Sequence, residues 1–375
     1  MKSLYEQIYE SIKQDIVSAK YKVGDQVPSE KELSEYFNVS TITTKKALEK
    51  LTNEGYVYRK RGKGTFVSKN TLDMGNVKNN VKMKKPLFGL VLTTFDDSFG
   101  NKLIASIEEA SHDNCCIILR RSLSIPNRED KVIKELLEYG IDGLIISPAK
   151  AEHYSLEILK MVVNQFPLVL IDRSFKGLAT TSVSTDNKQA AKKGGINHLL
   201  DLGHENIGIL IPKDNGTTTI EDRIKGIVEA IADRKMIVNH DLWCSEIKSP
   251  YPTHEDTKKD IEVIKNHIKN NPEITALFAL EYNIAVLAKQ AVEQLGLKIP
   301  EDISILCFDS PPRNALEWNF THLQQNEEEI GQLALSNLLE MYNGNFSIDD
   351  IRVSAHLVEG NTTVKNNVTS GHLNV

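Results

Sequence analysis

Pro28-Ser29-Glu30-Lys31-Glu32-Leu33-Ser34-Glu35-Tyr36-Phe37-Asn38-Val39-Ser40-Thr41-Ile42-Thr43-Thr44-Lys45-Lys46-Ala47-Leu48 is the stretch on which the fold of the first part of the chain turns. Ser29 followed three residues later by Glu32 has capping-box spacing, so a helix starts there with Leu33, Tyr36 and Phe37 on its buried face. Asn38 and Val39 fit a tight turn. Ser40 then caps another helix, Thr41 to Asn53, whose inward face is Ala47, Leu48 and Leu51. Two short helices with this turn between them make a helix-turn-helix. Upstream, Leu4, Ile8, Ile12 and Ile16 recur at i+4 and predict one more helix, from Leu4 to about Ser18, with Gly24 beyond its end.

The outer face of the last helix is polar or cationic: Thr41, Thr43, Thr44, Lys45 and Lys46. Such a helix fits a major groove, where hydroxyls and lysines meet phosphate oxygens and base edges. Downstream, Tyr56-Val57-Tyr58 leads into Arg59-Lys60-Arg61-Gly62-Lys63-Gly64-Thr65-Phe66-Val67, a β-hairpin with a basic tip. Gly62 and Gly64 permit a tight turn close to a phosphodiester, and the cations beside them favour counterion release. Candidate contacts to double-stranded DNA are therefore Ser29, Glu30, Ser40, Thr41, Thr43, Thr44, Lys45 and Lys46, with Arg59, Arg61, Gly62, Lys63, Gly64 and Thr65 of the hairpin. A solvated basic hairpin beside an ordinary three-helix core is the bland alternative.

These residues resemble the GntR family of bacterial transcription regulators, whose winged helix-turn-helix carries a PSE-x-x-L run, a VSR-x-T-x-R-x-AL run and a G-x-GTFV wing. The chain has Pro28, Ser29, Glu30 and Leu33, then Val39, Ser40, Thr43, Ala47 and Leu48, then Gly62, Gly64, Thr65, Phe66 and Val67. Two family arginines fall on Thr41 and Lys45 here. Arginine reads guanine with a two-pronged fork that lysine lacks, so the resemblance implies DNA binding but not the family's base preference.

The whole chain of 375 residues carries a formal charge of −6, with 40% hydrophobic and 26% charged residues, which suits two or three globular domains and excludes a disordered or collagen-like chain. The average hides a division. Residues 1–86 hold 17 Lys and Arg against 10 Asp and Glu, a net +7, whereas residues 87–375 hold 28 against 41, a net −13. Thr71 to Pro86, rich in Asn and Lys without apolar periodicity, reads as a linker. The expected division is therefore 1–70, a linker 71–86, and 87–375. Cys115, Cys116, Cys244 and Cys307 show no ligand spacing and read as buried, reduced thiols. The polar start has no secretory pattern and no apolar run approaches a membrane span, so a cytoplasmic location is expected, with no membrane partner.

From Leu87 onward, short apolar runs alternate with amphipathic segments: Leu87–Thr93, Cys115–Leu119, Gly143–Ser147, Leu168–Asp172, Asn206–Ile211, Ala276–Leu280 and Ile303–Phe308 are the candidate strands. This succession implies parallel sheets covered by helices, and its length suggests two α/β lobes. Ligands of such sheets bind beyond the carboxyl ends of the strands. Residues there are Thr94 to Phe99, Asp172, Arg173, the loop Asn215 to Arg223 with Thr217 and Thr219, Glu281, Tyr282 and Asp309. Carboxylates, an arginine, hydroxyls and aromatics suit a carbohydrate, although any one aspartate could simply cap a helix.

This region is similar to the LacI/GalR-type effector domain, which has the two-lobed periplasmic-binding-protein type I fold. The resemblance rests on Ile141-Asp142-Gly143-Leu144-Ile145, on Leu199, Leu202, Gly203, His204, Ile207 and Gly208, on Arg223 and Gly226, and on Ile299-Pro300-Glu301-Asp302-Ile303-Ser304-Ile305 with Phe308-Asp309. It implies effector contacts at Arg223, Asp309 and near Phe99. Glu281 and Tyr282 stand where the family commonly has Asn-Asp. The pairing of both modules is similar to the arabinose-repressor subgroup. Together the resemblances imply a homodimeric regulator, a repressor of carbohydrate-utilisation genes, that binds a partly palindromic operator under control of a sugar or sugar-derived effector.

No phosphate-binding GxxxxGK[ST] loop, dinucleotide fingerprint or metal-ligand spacing is present, and no cofactor, metal or catalytic residue is expected. His198 and His204, six apart at a helix end, read as structural. The rival readings are a cytoplasmic sugar-converting enzyme with an unrelated amino-terminal domain and a sugar-binding receptor.

Overall fold

The computed structural model describes residues 4–18, 20–60, 64–68, 85–213, 216–248, 254–311 and 319–366, and the chain divides into two compact units, Met1–Lys84 and Lys85–Val375. Arg61, Gly62, Lys63, Asn215 and most of the expected linker lie outside the described residues.

In the first unit α1 (Leu4–Val17), α2 (Glu30–Phe37) and α3 (Thr41–Asn53) precede an antiparallel hairpin of β1 (Val57–Lys60) and β2 (Gly64–Val67). Ile8, Ile12, Ile16, Leu33, Ala47, Leu48, Leu51, Val57 and Val67 form its core. Each such aliphatic side chain contributes roughly 1.5–3 kcal/mol by leaving water. The capping box is complete: Ser29 Oγ accepts from Glu32 N, and Glu32 Oε2 accepts from Ser29 N at 2.7 Å. Asn38 takes the left-handed conformation, φ 51°, that ends α2 and turns the chain into α3. Two expected core positions are outside. Leu4 is exposed in the first turn of α1, and Tyr36 is 83% exposed. An eight-residue helix buries little more than one turn, so Leu33 and half-buried Phe37 take the inward positions while Tyr36 packs edge-on against Phe37 at 5.0 Å.

The second unit holds two six-stranded sheets. The first is ordered β13-β7-β6-β5-β3-β4, from Asp350–Val353, Thr181–Thr185, Leu168–Ile171, Gly143–Ile146, Leu87–Leu92 and Cys116–Arg121. The second is ordered β14-β12-β11-β10-β8-β9, from His356–Val358, Thr321–Gln324, Ser304–Phe308, Ala276–Ala279, Ile207–Pro212 and Trp243–Ile247. Pairing is parallel except at the edge, where the three-residue β14 runs antiparallel to β12, a departure from the purely parallel expectation. Seven strands are legible as apolar runs. β7 is not, because Thr181-Ser182-Val183-Ser184-Thr185 looks like a loop, yet all five residues are buried. Its hydroxyls are satisfied internally: Thr181 Oγ1 donates to Ser347 O, Ser182 Oγ to Asp350 and Thr185 Oγ1 to Gln325.

The chain crosses between the lobes three times: after β7, after β12 and between β13 and β14. After the second crossing, helix Glu327–Tyr342 buries Ile330, Ala334, Leu335 and Leu338 in the first lobe's core. The edge position of β4 also corrects the cysteine reading, since Cys116 opens that strand and is exposed, while Cys115, Cys244 and Cys307 are buried and all four are free. Among the described residues, no helix is long and apolar enough to cross a membrane and no cluster of His, Cys, Asp and Glu could hold a metal. His204 is internally bonded, with Nδ1 against Thr275 Oγ1 and Nε2 against Val364 O, both at 2.9 Å.

Candidate functional site

On the first unit, Ser40 Oγ accepts from Thr43 N and so fixes the start of α3. Thr41, Lys45 and Lys46 are exposed, with Thr43 half-buried beside them. Lys46 Nζ lies over the Tyr5 ring at 4.5 Å, on the α1 side of the helix. Thr44 is a correction: it is fully buried, its hydroxyl donating to Glu30 O and Thr41 O at 3.0 Å, which withdraws it from the outward face and ties α2 to α3. Ile42, which the sequence reading passed over as an apolar residue, is 78% exposed in the first turn of α3. Glu30 and Arg59 pair with each other at 3.0 Å across α2 and the hairpin. Thr65 is buried and its carbonyl accepts from Val27 N, so its side chain also leaves the set of outward contacts. Gly64 has φ 115°, a backbone conformation that residues with a Cβ rarely adopt, and a Cβ there would also displace the end of the Gln26 side chain, 2.3 Å away.

In the second unit one cleft, open to solvent, gathers all nine expected effector residues: Phe99, Asp172, Arg173, Thr217, Thr219, Arg223, Glu281, Tyr282 and Asp309. Sequence reading missed Ser147, Asn283 and Gln325, which also line it. Gln325 is the first residue after β12, and because Thr321-His322-Leu323-Gln324 is not an apolar run the sequence does not announce that strand end. Its amide bridges the lobes' strands, accepting from Thr185 Oγ1 at 2.6 Å and donating to Asp309 Oδ2 at 2.8 Å.

The positions of the charged groups follow from local packing. Helix Thr218–Asp233 starts at Thr217, whose hydroxyl caps Ile220 N, and carries Arg223 one turn in. Gly226 lets this helix approach the chain at Lys188, where a Cβ would meet Lys188 O at 2.1 Å. That approach delivers Arg223 to Asn187: Nε donates to Asn187 Oδ1 at 2.8 Å and Nη1 to Leu280 O, and the guanidinium carbon lies 3.5 Å from the Phe308 ring centre. Asp309 is 7% exposed, and burial pushes its carboxyl up to about 7 despite the opposing Arg223. Its Oδ1 is buried without a hydrogen-bond partner. Burial also raises the Glu281 carboxyl, against the pull of Arg223 and Arg173. Asp172 accepts from Ser147 Oγ at 3.3 Å and faces Arg173 Nε at 3.4 Å. Both Asp172 and Asp309 have positive φ, 62° and 61°. Strained backbone of this kind costs of order 1–3 kcal/mol and concentrates at functional sites. Tyr282 leans on Phe320, edge-on at 6.0 Å, so its ring forms a wall of the cleft rather than a free stacking face.

Residues 4–67 match the bacterial regulatory proteins of the gntR family, and residues 196–363 match the periplasmic binding protein-like domain. The chain joins a GntR-type helix-turn-helix to a periplasmic binding protein-like domain, the make-up of a transcription regulator. A relative along nearly its whole length is the arabinose metabolism transcriptional repressor of Geobacillus stearothermophilus, 26% identical over 374 residues, covering 96% of this chain and 97% of that protein. A transcription regulator from Staphylococcus saprophyticus superposes with a TM-score of 0.64 at 19% identity, over 75% of this chain and all of that one. A LacI family regulator from Enterococcus faecium, solved with bound ribose, superposes with a TM-score of 0.61 at 22% identity, over 75% of this chain and 99% of that one. These structures establish the periplasmic-binding-protein fold of the regulator's second unit.

Proposed function

We propose that this regulator represses carbohydrate-utilisation genes from the cytoplasm, binding as a homodimer to a partly palindromic operator through residues 1–70, with 71–86 as linker and 87–375 as the effector-binding and dimerisation part. One observation carries the effector reading: residues that follow β3, β5, β6, β8, β10, β11 and β12 converge on a single cleft that mixes carboxylates, arginines, hydroxyls and aromatic walls. Relatives named for arabinose or solved with ribose support a sugar in it. If effector changes operator affinity, operator changes effector affinity by the same factor. Titrating the protein with operator duplex, with and without each of a panel of monosaccharides, checks this; equal operator affinity in every case would refute control by a sugar.

On the DNA side, Thr41, Ile42 and Lys45 project together from the start of α3. Lys45 supplies a phosphate contact and Ile42 an apolar surface for a thymine methyl group. With an operator selected from random duplexes, Lys45→Ala should reduce the salt slope of binding by about one unit. Replacing thymine by uracil at one position per half-site should weaken wild-type binding a few-fold and leave Ile42→Ala binding unchanged. Uracil scanning that finds no such position removes Ile42 from base reading.

A further inference from the structure

The helix Asn101–Ser111 starts just after Phe99, a residue of the cleft lining, and it starts without a cap of its own. Gly100 holds its N-cap position in the left-handed region, φ 102°, and a Cβ there would lie 2.5 Å from Phe95 Cβ. The position therefore takes glycine, which has no side-chain oxygen to offer the first amides of the helix. The missing acceptor comes from 227 residues further along the chain. Glu327 Oε2 accepts from Gly100 N at 2.6 Å and from Leu103 N at 3.3 Å, and Glu327 is 3% exposed. Burial raises its carboxyl, and the Gly100 and Leu103 amides pull the other way.

Glu327 is available for this role because the helix it opens, Glu327–Tyr342, is capped by Asn326, whose Oδ1 accepts from Glu329 N at 3.3 Å. Gly331 lets the two helices approach, since a Cβ there would lie 2.0 Å from Ser106 Oγ, and that hydroxyl donates to Glu328 O at 3.1 Å. Two residues before Glu327 stands Gln325, which donates to Asp309 Oδ2 at 2.8 Å. One short segment, 325–327, thus grips a cleft carboxylate of the second lobe and the helix that follows Phe99 in the first. The loop ahead of that helix is closed on itself: Asp96 Oδ1 accepts from Ser98 N at 2.7 Å, and Asp96 N donates to Phe99 O at 2.9 Å. Its placement as a unit depends on the junction at Gly100.

We infer that Glu327 is a positioning residue for the effector cleft: by capping the helix Asn101–Ser111 it fixes the Phe99 wall relative to Gln325 and Asp309, while lying outside the cleft lining itself. The consequence for binding rests on the proposed effector cleft, whereas the cap rests on the two hydrogen bonds.

Hydrogen exchange and sugar titration of the full chain test the two parts separately. Glu327→Ala leaves both amides without their acceptor and should speed exchange across residues 98–104 about 10-fold or more, with the strand Leu87–Leu92 still protected. Glu327→Gln keeps a carbonyl oxygen in place and should restore most of that protection. In titrations with arabinose, ribose and the other monosaccharides, Glu327→Ala and Phe99→Ala should each weaken the sugar that binds about 10-fold, and the double variant should fall no more than about twofold below Phe99→Ala alone. A residue that only stabilised the fold would give additive losses or none. Unchanged exchange at 98–104 overturns the inference, and so does full additivity. If no sugar binds, the carbohydrate reading fails and the exchange result alone decides the cap. Should Glu327→Ala not fold, Glu327→Asp carries the same comparisons, because it withdraws the carboxylate by one methylene.

Discussion

Asp172 follows β6 in one lobe and Asp309 follows β11 in the other, and their backbones are near copies. Each sits in the left-handed region, and each donates its amide across to the next strand, Asp172 to Val183 O and Asp309 to Leu323 O, both at 3.1 Å. Their side chains live in different media. Asp172 has a hydroxyl and an adjacent arginine, whereas Asp309 is sunk beside Gln325 and Arg223 with one oxygen unpartnered and its carboxyl pushed up to about 7. Duplicated topology therefore supplies two equivalent positions, and the residues around them decide which carboxylate is left with a buried, unpartnered oxygen. The lobe holding Asp309 carries the more expensive arrangement, and its arginine should matter correspondingly more.

Arg223→Leu against Arg173→Leu tests that asymmetry most strongly. Arg223 is 3% exposed and is the main opposing charge for both Asp309 and Glu281, so its removal strands buried carboxylates. The expected loss is about 3–5 kcal/mol in urea unfolding. Arg173 is half-buried and makes long bonds to two carbonyls, so its loss should cost about 1–2 kcal/mol. Equal losses would show that the two lobes bear the charge evenly.

A smaller effect reads the Asp309 side by pH. Asp309 has its carboxyl at about 7 in the folded chain against an ordinary value of 3.8, so the folded state holds the proton more tightly. Its contribution to stability is complete below pH 4 and is lost as pH rises through 7. Asparagine tolerates positive φ and keeps an acceptor for Gln325. Asp309→Asn should therefore melt roughly 2–4 °C above the wild type at pH 8, with the gap narrowing as pH falls through 7 and closing near pH 4. Glu129, also pushed up to about 7 by burial while accepting from Ala149 N, is present in both proteins and cancels from the comparison. A constant difference between pH 5 and 8 would show that Asp309 does not titrate in this window.

Both aspartates are legible in the amino-acid order alone, because an apolar run that ends in a polar residue announces the carboxyl end of a strand. The same rule locates Arg173, Glu281 and Tyr282. It misses Gln325, because the strand before it, Thr321-His322-Leu323-Gln324, is not an apolar run, and it misses β7, whose hydroxyl-rich strand is buried only because neighbouring carbonyls and Gln325 satisfy it. In the first unit, period and capping give the helices and their core, but single-residue facing needs three dimensions. Thr44 reads as an outward hydroxyl and instead bonds Glu30 O, while Tyr36 reads as core and is exposed.

The smallest expected effect lies where the two lobes touch at Asp172. Thr219 Oγ1 on the second lobe donates to Asp172 O on the first at 3.1 Å, and Thr218 Oγ1 accepts from Ser174 N at the same distance. These bonds favour the arrangement in which the strand ends face one another. Thr219→Val preserves shape and removes one of them, worth about 1 kcal/mol. A protein that must first reach its binding arrangement loses apparent affinity by the fraction it no longer populates. Sugar affinity should fall about fivefold with the melting temperature nearly unchanged, as titration and thermal unfolding of the same sample would show. Unchanged affinity would mean that the bond joins the lobes without biasing the cleft, and the weight of recognition would move wholly to the Asp309 side.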